Sequence, residues 1–383
     1  MRVLHCIYDD PENPWVAGGG AVRARALYRR LAGRVQAVVA TGNYPGAHSG
    51  VFEGVGYVRL GASSPYAWSR ASYALAAAAL LRRGARLDEY DVAIYDFSVY
   101  APVRIPPWPA PVGVIVHHLT GPTAPARWGR MLGAGVAALE RSLLRRASWA
   151  STPSEWTRER LREVLRADGT IEVVGNGVDD ALFELPRDDR GGLLYFGRLD
   201  LFQKGLDVLL RALALLVERG GDVVLDVAGR GRDAERFQEL AAELGVAGRI
   251  RMHGPVDGEH RLRLFRQAGV LVMPSRFEGF GMVAAEAQAA GVPVVATTAG
   301  ALPEVVAQGG VLVPPEDPAA LAGALAGLLG DADRRAALGR LAREAAQRHR
   351  WDAVAERHLA FLEHVVAAAK TAGGARRPRG DVA

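Results

Sequence analysis

The stretch VLVMPSRFEGFGMVAAEAQAAGVPVVATT, residues 270–298, carries the reading of the fold. It opens with the apolar run VLVMPS, passes through a loop holding Gly279 and Gly281, continues as the alanine-rich MVAAEAQAAG and ends in the second apolar run VPVVATT. Short apolar runs bounded by turn residues read as buried strands, and the ten residues between them read as a helix. Strand, helix and strand at this spacing form a parallel crossover unit, whose ligands sit beyond the carboxyl ends of the strands.

Two carboxylates interrupt this run. Glu278 falls in the loop ahead of the helix, and Glu286 lies about a turn and a half further on. Gly279 and Gly281 let backbone come close to a ligand. The unbonded N–H groups of Phe280, Gly281, Met282 and Val283 at the helix start suit an anion. A carboxylate at the mouth, another behind it and anion-binding amides between them suit a ligand with hydroxyls at both ends and phosphates in the middle. A nucleotide sugar has that form. The plainer alternative makes Glu278 an electrostatic cap and Glu286 a solvated surface group.

Working outward, the chain is 383 residues long, which favours two domains over one core. With 49% hydrophobic and 23% charged residues it reads as globular and soluble. The longest apolar run, ALAAAALL (74–81), is shorter than a membrane span and ends in Arg82 and Arg83. The N-terminus turns acidic at Asp9 and Asp10 before a signal-peptide core can form. Cys6 is the single cysteine, so no internal disulfide and no cysteine-based metal site is expected, and a cytoplasmic setting follows. The net charge of +5 is interspersed with acids, so no nucleic-acid partner is expected. Of the 47 basic residues only Lys204 and Lys370 are lysine, which makes a lysine inside a motif informative.

Strand and helix patterns alternate along the whole chain. RVLHCIY (2–8), VQAVVAT (35–41), DVAIYD (91–96), VGVIVHH (112–118), WASTPS (149–154) and IEVVGNGVD (171–179) read as strands, with helices over 21–33, 127–147 and WTRERLREVL. ELPRDDRGG (184–192) reads as a linker, after which the alternation restarts with LLYFGRL. The pattern predicts two doubly wound domains facing each other across a cleft. Residues after Thr371 read as a disordered tail.

Four segments resemble the retaining GT-B glycosyltransferases of family GT4: GGGAVRARALYRRL (18–31), VVGNGVDDALF (173–183), GRLDLFQKGLDVLLRA (197–212) and PSRFEGFGMVAAEAQAAGVPVVAT (274–297). The resemblance implies an α/β GT-B fold: two facing Rossmann-like domains, a deep interdomain cleft and a C-terminal helix crossing back to the N-terminal domain. It places an acceptor-binding domain over 1–186, a donor-binding domain over 187–350, the crossover helix over 351–370 and the tail over 371–383. Leu359, Phe361, Leu362 and Val365 would form the crossover helix's apolar face.

Residue by residue, the resemblance implies that Arg198 and Lys204 hold the donor pyrophosphate and stabilise its departure. Glu286 would accept from ribose hydroxyls and Glu278 from sugar hydroxyls. Phe280, Gly281 and Met282 would touch sugar and phosphate through their backbone, with Gly279 and Val283 beside them. Gly19 and Gly20 would offer amides to the same phosphates, Gly229 would allow close approach, and Gly254, Pro255 and Val256 would contact the base. His117, or its neighbour His118, would lie near the reacting sugar; His117 is favoured, with His118 and Asn176 on the acceptor side. The implied activity is transfer of a hexose-type sugar from a nucleotide-sugar co-substrate to a hydroxyl acceptor, whether glycan, lipid-linked or small molecule. No cofactor and no metal is expected, since the acids of DVAIYD flank a strand and form no metal-binding loop.

Three other readings stay open. VAGRGRDAERF (227–237) fits the dinucleotide fingerprint G-x-G-x-x-A, which suggests an NAD-dependent dehydrogenase; but the next strand ends in His253 and Gly254, without the acid that would hold a ribose. A non-catalytic sugar-nucleotide-binding relative is the second. The third adds a peripheral contact at the inner face of the membrane, through the basic amphipathic stretch 126–150.

Overall fold

The computed structural model of the chain describes residues 1–15, 19–84, 89–106, 110–121, 124, 129–165 and 169–374. The chain divides into two compact units. Unit 1 comprises Met1–Asn176 with Trp351–Ala383, and unit 2 comprises Gly177–Arg350.

Among the described residues, unit 1 holds an eight-stranded sheet in the order β3-β4-β2-β1-β5-β6-β7-β8. Its strands are β1 Arg2–Cys6, β2 Gln36–Gly42, β3 Gly50–Phe52, β4 Val55–Leu60, β5 Val92–Asp96, β6 Val112–Ile115, β7 Trp149–Thr152 and β8 Thr170–Val173. All neighbours run parallel except β3, which pairs antiparallel with β4. Unit 2 holds a parallel six-stranded sheet in the order β11-β10-β9-β12-β13-β14. Its strands are β9 Gly192–Phe196, β10 Leu225–Ala228, β11 Ile250–Gly254, β12 Ala268–Met273, β13 Val294–Thr297 and β14 Gly310–Val313.

The central strands read as unbroken apolar runs because helices cover both faces of a parallel sheet. β12, AGVLVM, is buried at every position. On one face Leu271 and Met273 pack with Leu194, Phe265 and Ala284; on the other Val270 and Val272 pack with Leu193, Leu209 and Phe237. In each sheet the strand order reverses at one point, between β1 and β5 and between β9 and β12. Loops leaving the two strands there diverge and leave a crevice for a ligand.

The final helix, Trp351–Gly374, belongs to unit 1. Val354, Leu359, Phe361, Leu362 and Val365 are buried with Val3, Leu27 and Ile94 in the core of that unit. Phe361 sits over Gly113, where a Cβ would come within 2.9 Å of its ring. Residues 375–383 of the expected tail lie outside the described residues, and the helix itself runs on through Gly374.

One expectation changes. The polar segment 184–192 is an integral part of unit 2, and the division between units falls after Asn176. Leu185 is in the unit 2 core, and the amides of Asp188 and Arg190 donate to the carbonyls of Arg266 and Gln267. Proline, glycine and charge mark a loop here, but its backbone is bonded to the end of the helix Gly258–Gln267.

Candidate active site

At the unit 2 crossover the chain leaves β9 through residues 197–205 and leaves β12 through residues 274–281. These two loops bring two of the expected groups together, and the first also carries a third, Arg198. The Lys204 Nζ pairs with Glu278 Oε1, and both side chains are largely shielded. Ser275 Oγ donates to the same carboxylate oxygen at 3.2 Å. Arg198 is exposed, and its Nη2 donates to Gln203 Oε1 at 2.7 Å. Gly281 caps the helix Met282–Ala289 with φ of 95° and no side-chain cap, so the amides of its first turn have no capping side chain.

The two loops are locked by backbone contact and by one arginine. Gly205 has φ of 63°, and a Cβ there would stand 1.9 Å from the Pro274 carbonyl oxygen, so only glycine fits beside Lys204. Arg276 clasps both sides. Its Nη1 and Nη2 donate to the two Asp207 oxygens at 2.8 and 2.9 Å, and Nη2 also reaches Glu316 Oε2 at 2.7 Å. Nη1 reaches the Phe202 carbonyl at 2.7 Å, with the guanidinium 4.8 Å over the Phe202 ring. Hydrogen bonds donated to Asp207 and then to Glu316 hold the Arg276 guanidinium above its ordinary range.

A cavity of about 360 Å³ adjoins the crossover, lined by Phe196, Gly197, Arg198, Gly229, Arg230, Pro255 and Val256. The expected base contacts Pro255 and Val256 therefore share a wall with Arg198. Gly254 lies beneath them, its carbonyl accepting from the Gly229 amide at 2.7 Å. The reason for Gly229 differs from a simple need for ligand access: a Cβ there would stand 1.8 Å from the Gly197 carbonyl oxygen. The fingerprint glycine lets two loops of the protein meet.

Glu286 is paired. Arg261 Nη2 lies 2.9 Å from Glu286 Oε1, and its Nη1 lies 3.4 Å from Asp179 Oδ2. Burial pushes the Glu286 carboxyl up, with the Arg261 charge opposing. Glu286 is thus a shielded, held acceptor, unlike the solvated surface group of the plainer reading. Phe280 is buried and meets His349 edge-on at 5.3 Å; Met282 and Val283 pack on the core, and Gly279 lies in the loop.

In unit 1 the groups at the β1–β5 crossover are histidines and aspartates. His117, just beyond β6, has Nε2 3.4 Å from Asp96 Oδ2 at the end of β5. His5 Nε2 lies 3.6 Å from the same oxygen, and His5 Nδ1 shares a hydrogen bond with the Tyr28 hydroxyl at 2.8 Å. Burial raises the Asp96 carboxyl, but His117 and His5 outweigh it and hold it well below the usual range. Asp9 nearby is pushed up to about 6 by burial and by Asp96, against the pull of His117. Gly19 and Gly20 form the first turn of the helix Gly19–Arg30, and a Cβ on Gly20 would lie 3.3 Å from Asp96 Oδ2 and 3.4 Å from His117 Nε2. His118 is exposed beside this cluster, and Asn176 is half-buried where unit 1 ends. Residues 16–18, which include the first glycine of the loop, lie outside the described residues.

Arg261, Arg276, Asp96 and His5 were not among the expected site residues. Asp96 had a signal: it ends the strand next to β1, where the strand order reverses.

The family model described as Glycosyltransferase Family 4 matches residues 17–182, and the one described as Glycosyl transferases group 1 matches residues 190–331. The chain belongs to this glycosyltransferase family. Among curated relatives, D-inositol 3-phosphate glycosyltransferase of Xylanimonas cellulosilytica is 40% identical over 223 residues, covering 52% of this chain and 53% of its own. The Streptomyces avermitilis protein of the same name is 40% identical over 226 residues, covering 53% and 48%. The chain thus spans about half the length of the curated relatives it matches.

Among solved structures, sucrose-phosphate synthase from Thermosynechococcus elongatus has a TM-score of 0.77 at 22% identity, covering 96% of this chain and all (100%) of that one. Anabaena HepE, solved in complex with UDP and glucose, has a TM-score of 0.69 at 20% identity, covering 95% and 99%. These likenesses establish the GT-B fold. Membership of the family replaces the dehydrogenase reading, and the Gly229 contact explains why a dinucleotide-like fingerprint is present.

Proposed function

We propose that this glycosyltransferase is a retaining, metal-independent hexosyltransferase that moves a sugar from a nucleotide-sugar donor to an acceptor hydroxyl. The observation that carries this reading is the Lys204–Glu278 pair at the unit 2 crossover, with Arg198 on the same loop as Lys204 and in the wall of a cavity that includes Pro255 and Val256. HepE, a structural neighbour bound to UDP and glucose, and relatives named for an inositol phosphate reaction support it.

In this reading the bond from the sugar's anomeric carbon to the donor diphosphate breaks, and negative charge grows on the leaving phosphate. Arg198 and Lys204 meet that charge, stabilising the transition state more than the ground state and taking the part a divalent metal plays elsewhere. Glu278 orients the sugar hydroxyls and favours positive charge developing on the ring. The acceptor oxygen bonds to the anomeric carbon on the face the phosphate leaves, and its proton passes to the departing phosphate oxygen. Configuration is thereby retained. Glu286, held by Arg261, accepts from the ribose, and the amides of Phe280 to Val283 face the phosphates and sugar. In unit 1, His117 with Asp96 behind it is assigned to the reacting sugar, His118 and Asn176 to the acceptor, and the first-turn amides of Gly19 and Gly20 to an anion. A cytoplasmic setting fits a chain whose lone thiol, Cys6, is free and buried.

The test is turnover of UDP-, GDP- and ADP-sugars by the wild type and variants. Arg198→Ala and Lys204→Ala should each remove about 2–4 kcal/mol of transition-state stabilisation, the scale of one lost donor to a developing oxyanion. The double variant should lose less than the sum, since both act on one leaving group. Mg²⁺ should restore neither. Near-normal rates in both single variants would remove the donor assignment. Binding without turnover would leave a non-catalytic relative.

A second observation bears on where the acceptor is met. The helix Arg130–Leu144 exposes Met131 (92%), Leu132 (62%) and Leu139 (41%), beside exposed Arg130, Arg141, Arg145 and Arg146. An apolar strip with basic flanks suits the surface of an anionic bilayer. No described helix is long and apolar enough to cross a membrane. Met131→Asp with Leu132→Asp should abolish co-sedimentation with anionic vesicles; vesicles that fail to bind the wild type would end this reading.

A further inference from the structure

Unit 2 has a second cavity, of about 580 Å³, whose walls include Arg187, Asp189, Arg335, Arg340, Arg343 and Glu344. Arg187, Asp189 and the neighbouring Gly291 precede β9 and β13, so the cavity lies at the amino-terminal edge of the sheet. The donor loops leave the opposite edge, about 15 Å away by the rise of a five-residue strand.

Three of these arginines are fixed on one side by backbone carbonyls. Arg187 Nη1 donates to Phe265 O at 2.7 Å and its Nη2 to Ala268 O at 2.5 Å. Arg343 Nη2 donates to Leu185 O and Ala290 O, both at 2.8 Å. Arg335 Nη1 donates to Leu328 O and Leu329 O at 2.8 Å, while its Nε holds Asp189 Oδ2 at 2.9 Å. A guanidinium has five N–H donors. Arg335 Nη2, Arg343 Nη1 and Nε, and Arg187 Nε therefore have no bonded partner among the described residues, and the Arg343 Nε is buried. Arg340 is exposed and makes no ion pair among the described residues.

All of these carbonyls but that of Leu185 lie at the ends of the helices Gly258–Gln267, Met282–Ala289 and Pro318–Leu329, so capping is part of what the arginines do, and the helix ends absorb part of their charge. Capping does not account for the unused donors, for Arg340, or for gathering four cations around one opening with two carboxylates. Burial lowers the Arg187 guanidinium and, against Asp189, the nearby Arg343 and Arg335 lower it further, as expected for crowded like charges.

We propose that this cavity is a second anion site, distinct from the donor site, for a small molecule carrying adjacent phosphate groups. Arginine forks held rigid from behind lose little freedom on binding and match phosphate oxygens in pairs. The volume lies in the range of small-ligand pockets. Several arginines spaced around the opening favour a chain of phosphates over a single one.

The experiment is calorimetric titration of the full chain with inorganic tripolyphosphate and with orthophosphate, at physiological salt. Arg198→Ala with Lys204→Ala silences the donor site, and about one tripolyphosphate should still bind. Adding Arg340→Glu, or Ala336→Glu on the exposed cavity wall, should weaken that binding at least about tenfold, with the anion-free melting temperature unchanged. Orthophosphate should bind far more weakly. The proposal is overturned if no tripolyphosphate binds once the donor site is silenced, or if neither glutamate variant weakens it. Equal affinity for orthophosphate would overturn the assignment to adjacent phosphates.

Discussion

The two sheets share one plan and hold their functional groups in opposite ways. In unit 2 the groups stand on loops whose backbones touch, with Gly205 against Pro274 and Gly229 against Gly197. Most of their charges are matched: Lys204 with Glu278, Arg261 with Glu286 and Asp179, Arg276 with Asp207 and Glu316. In unit 1 the groups behind His117 are buried, and their bonding is incomplete. Asp96 Oδ1, His5 Nε2, Arg23 Nη1 and both His358 ring nitrogens are buried without hydrogen bonds among the described residues. Unit 2 is a rigid cradle set by backbone geometry, whereas unit 1 encloses a polar cluster that protons can disturb.

The strongest way to break this contrast is to separate the stabilities of the units. Phe361→Ala empties the seat over Gly113 and should cost unit 1 about 3–5 kcal/mol. Calorimetry should show a lowered transition for unit 1 and an unmoved one for unit 2. Equal shifts in both would mean that the units melt as one body. Next in size is Gly205→Ala. Its Cβ would overlap the Pro274 carbonyl, forcing the Lys204 loop away from Glu278. A displacement near 1 Å should lower kcat about a hundredfold while the chain remains folded. An unchanged rate would show that the loops are not locked.

The smallest expected effect is a pH dependence that distinguishes the clusters. Burial, then Arg23 and His5, hold the His358 imidazolium well below its usual range, with Asp96 opposing and Tyr28 packed against the ring. The unfolded histidine takes a proton near pH 6.5 and the folded one does not, so unit 1 loses stability as pH falls below about 6.5. Asp96 acts in the same direction lower down: its contribution is present above about pH 4 and is lost as pH falls toward its depressed folded value. Asp9, pushed up to about 6, runs the other way, its contribution being lost as pH rises through that value. Glu286 in unit 2, raised by burial, also favours the acid side. His358→Leu should therefore stabilise unit 1 by about 1–2 kcal/mol more at pH 5 than at pH 7.5. Melting curves across that range are the check, and parallel curves for variant and wild type would rule out His358 as the source.

Much of unit 2 was legible because its signals are local. Glu278, Gly281 and Glu286 lie within one strand–loop–helix, and Lys204 stands out in a chain that otherwise uses arginine almost throughout. The supports of those residues were not legible. Arg276 finds Asp207, and Arg261 finds Asp179, only after strands distant in sequence become neighbours. At Gly229 the sequence suggests room for a ligand, because spacing alone cannot show that the Gly197 carbonyl would occupy the place of a Cβ. Segment 184–192 has the composition of a linker, and composition says nothing of where the backbone amides of Asp188 and Arg190 are bonded. In unit 1, Asp96 looked like the polar end of a strand; its pairing with His117 depends on β5 and β6 lying side by side.

The return of the last helix to unit 1 also orders events on the ribosome. Unit 2 is continuous in sequence and has all its strands once Arg350 emerges, but unit 1 must wait for Phe361 and Leu362 to fill its core. At about 5–20 residues per second, that wait after Asn176 lasts about 10–40 s. The portion of the chain made first is thus the last to close, and throughout synthesis the nascent sheet of unit 1 carries an uncovered apolar face that chaperones can hold.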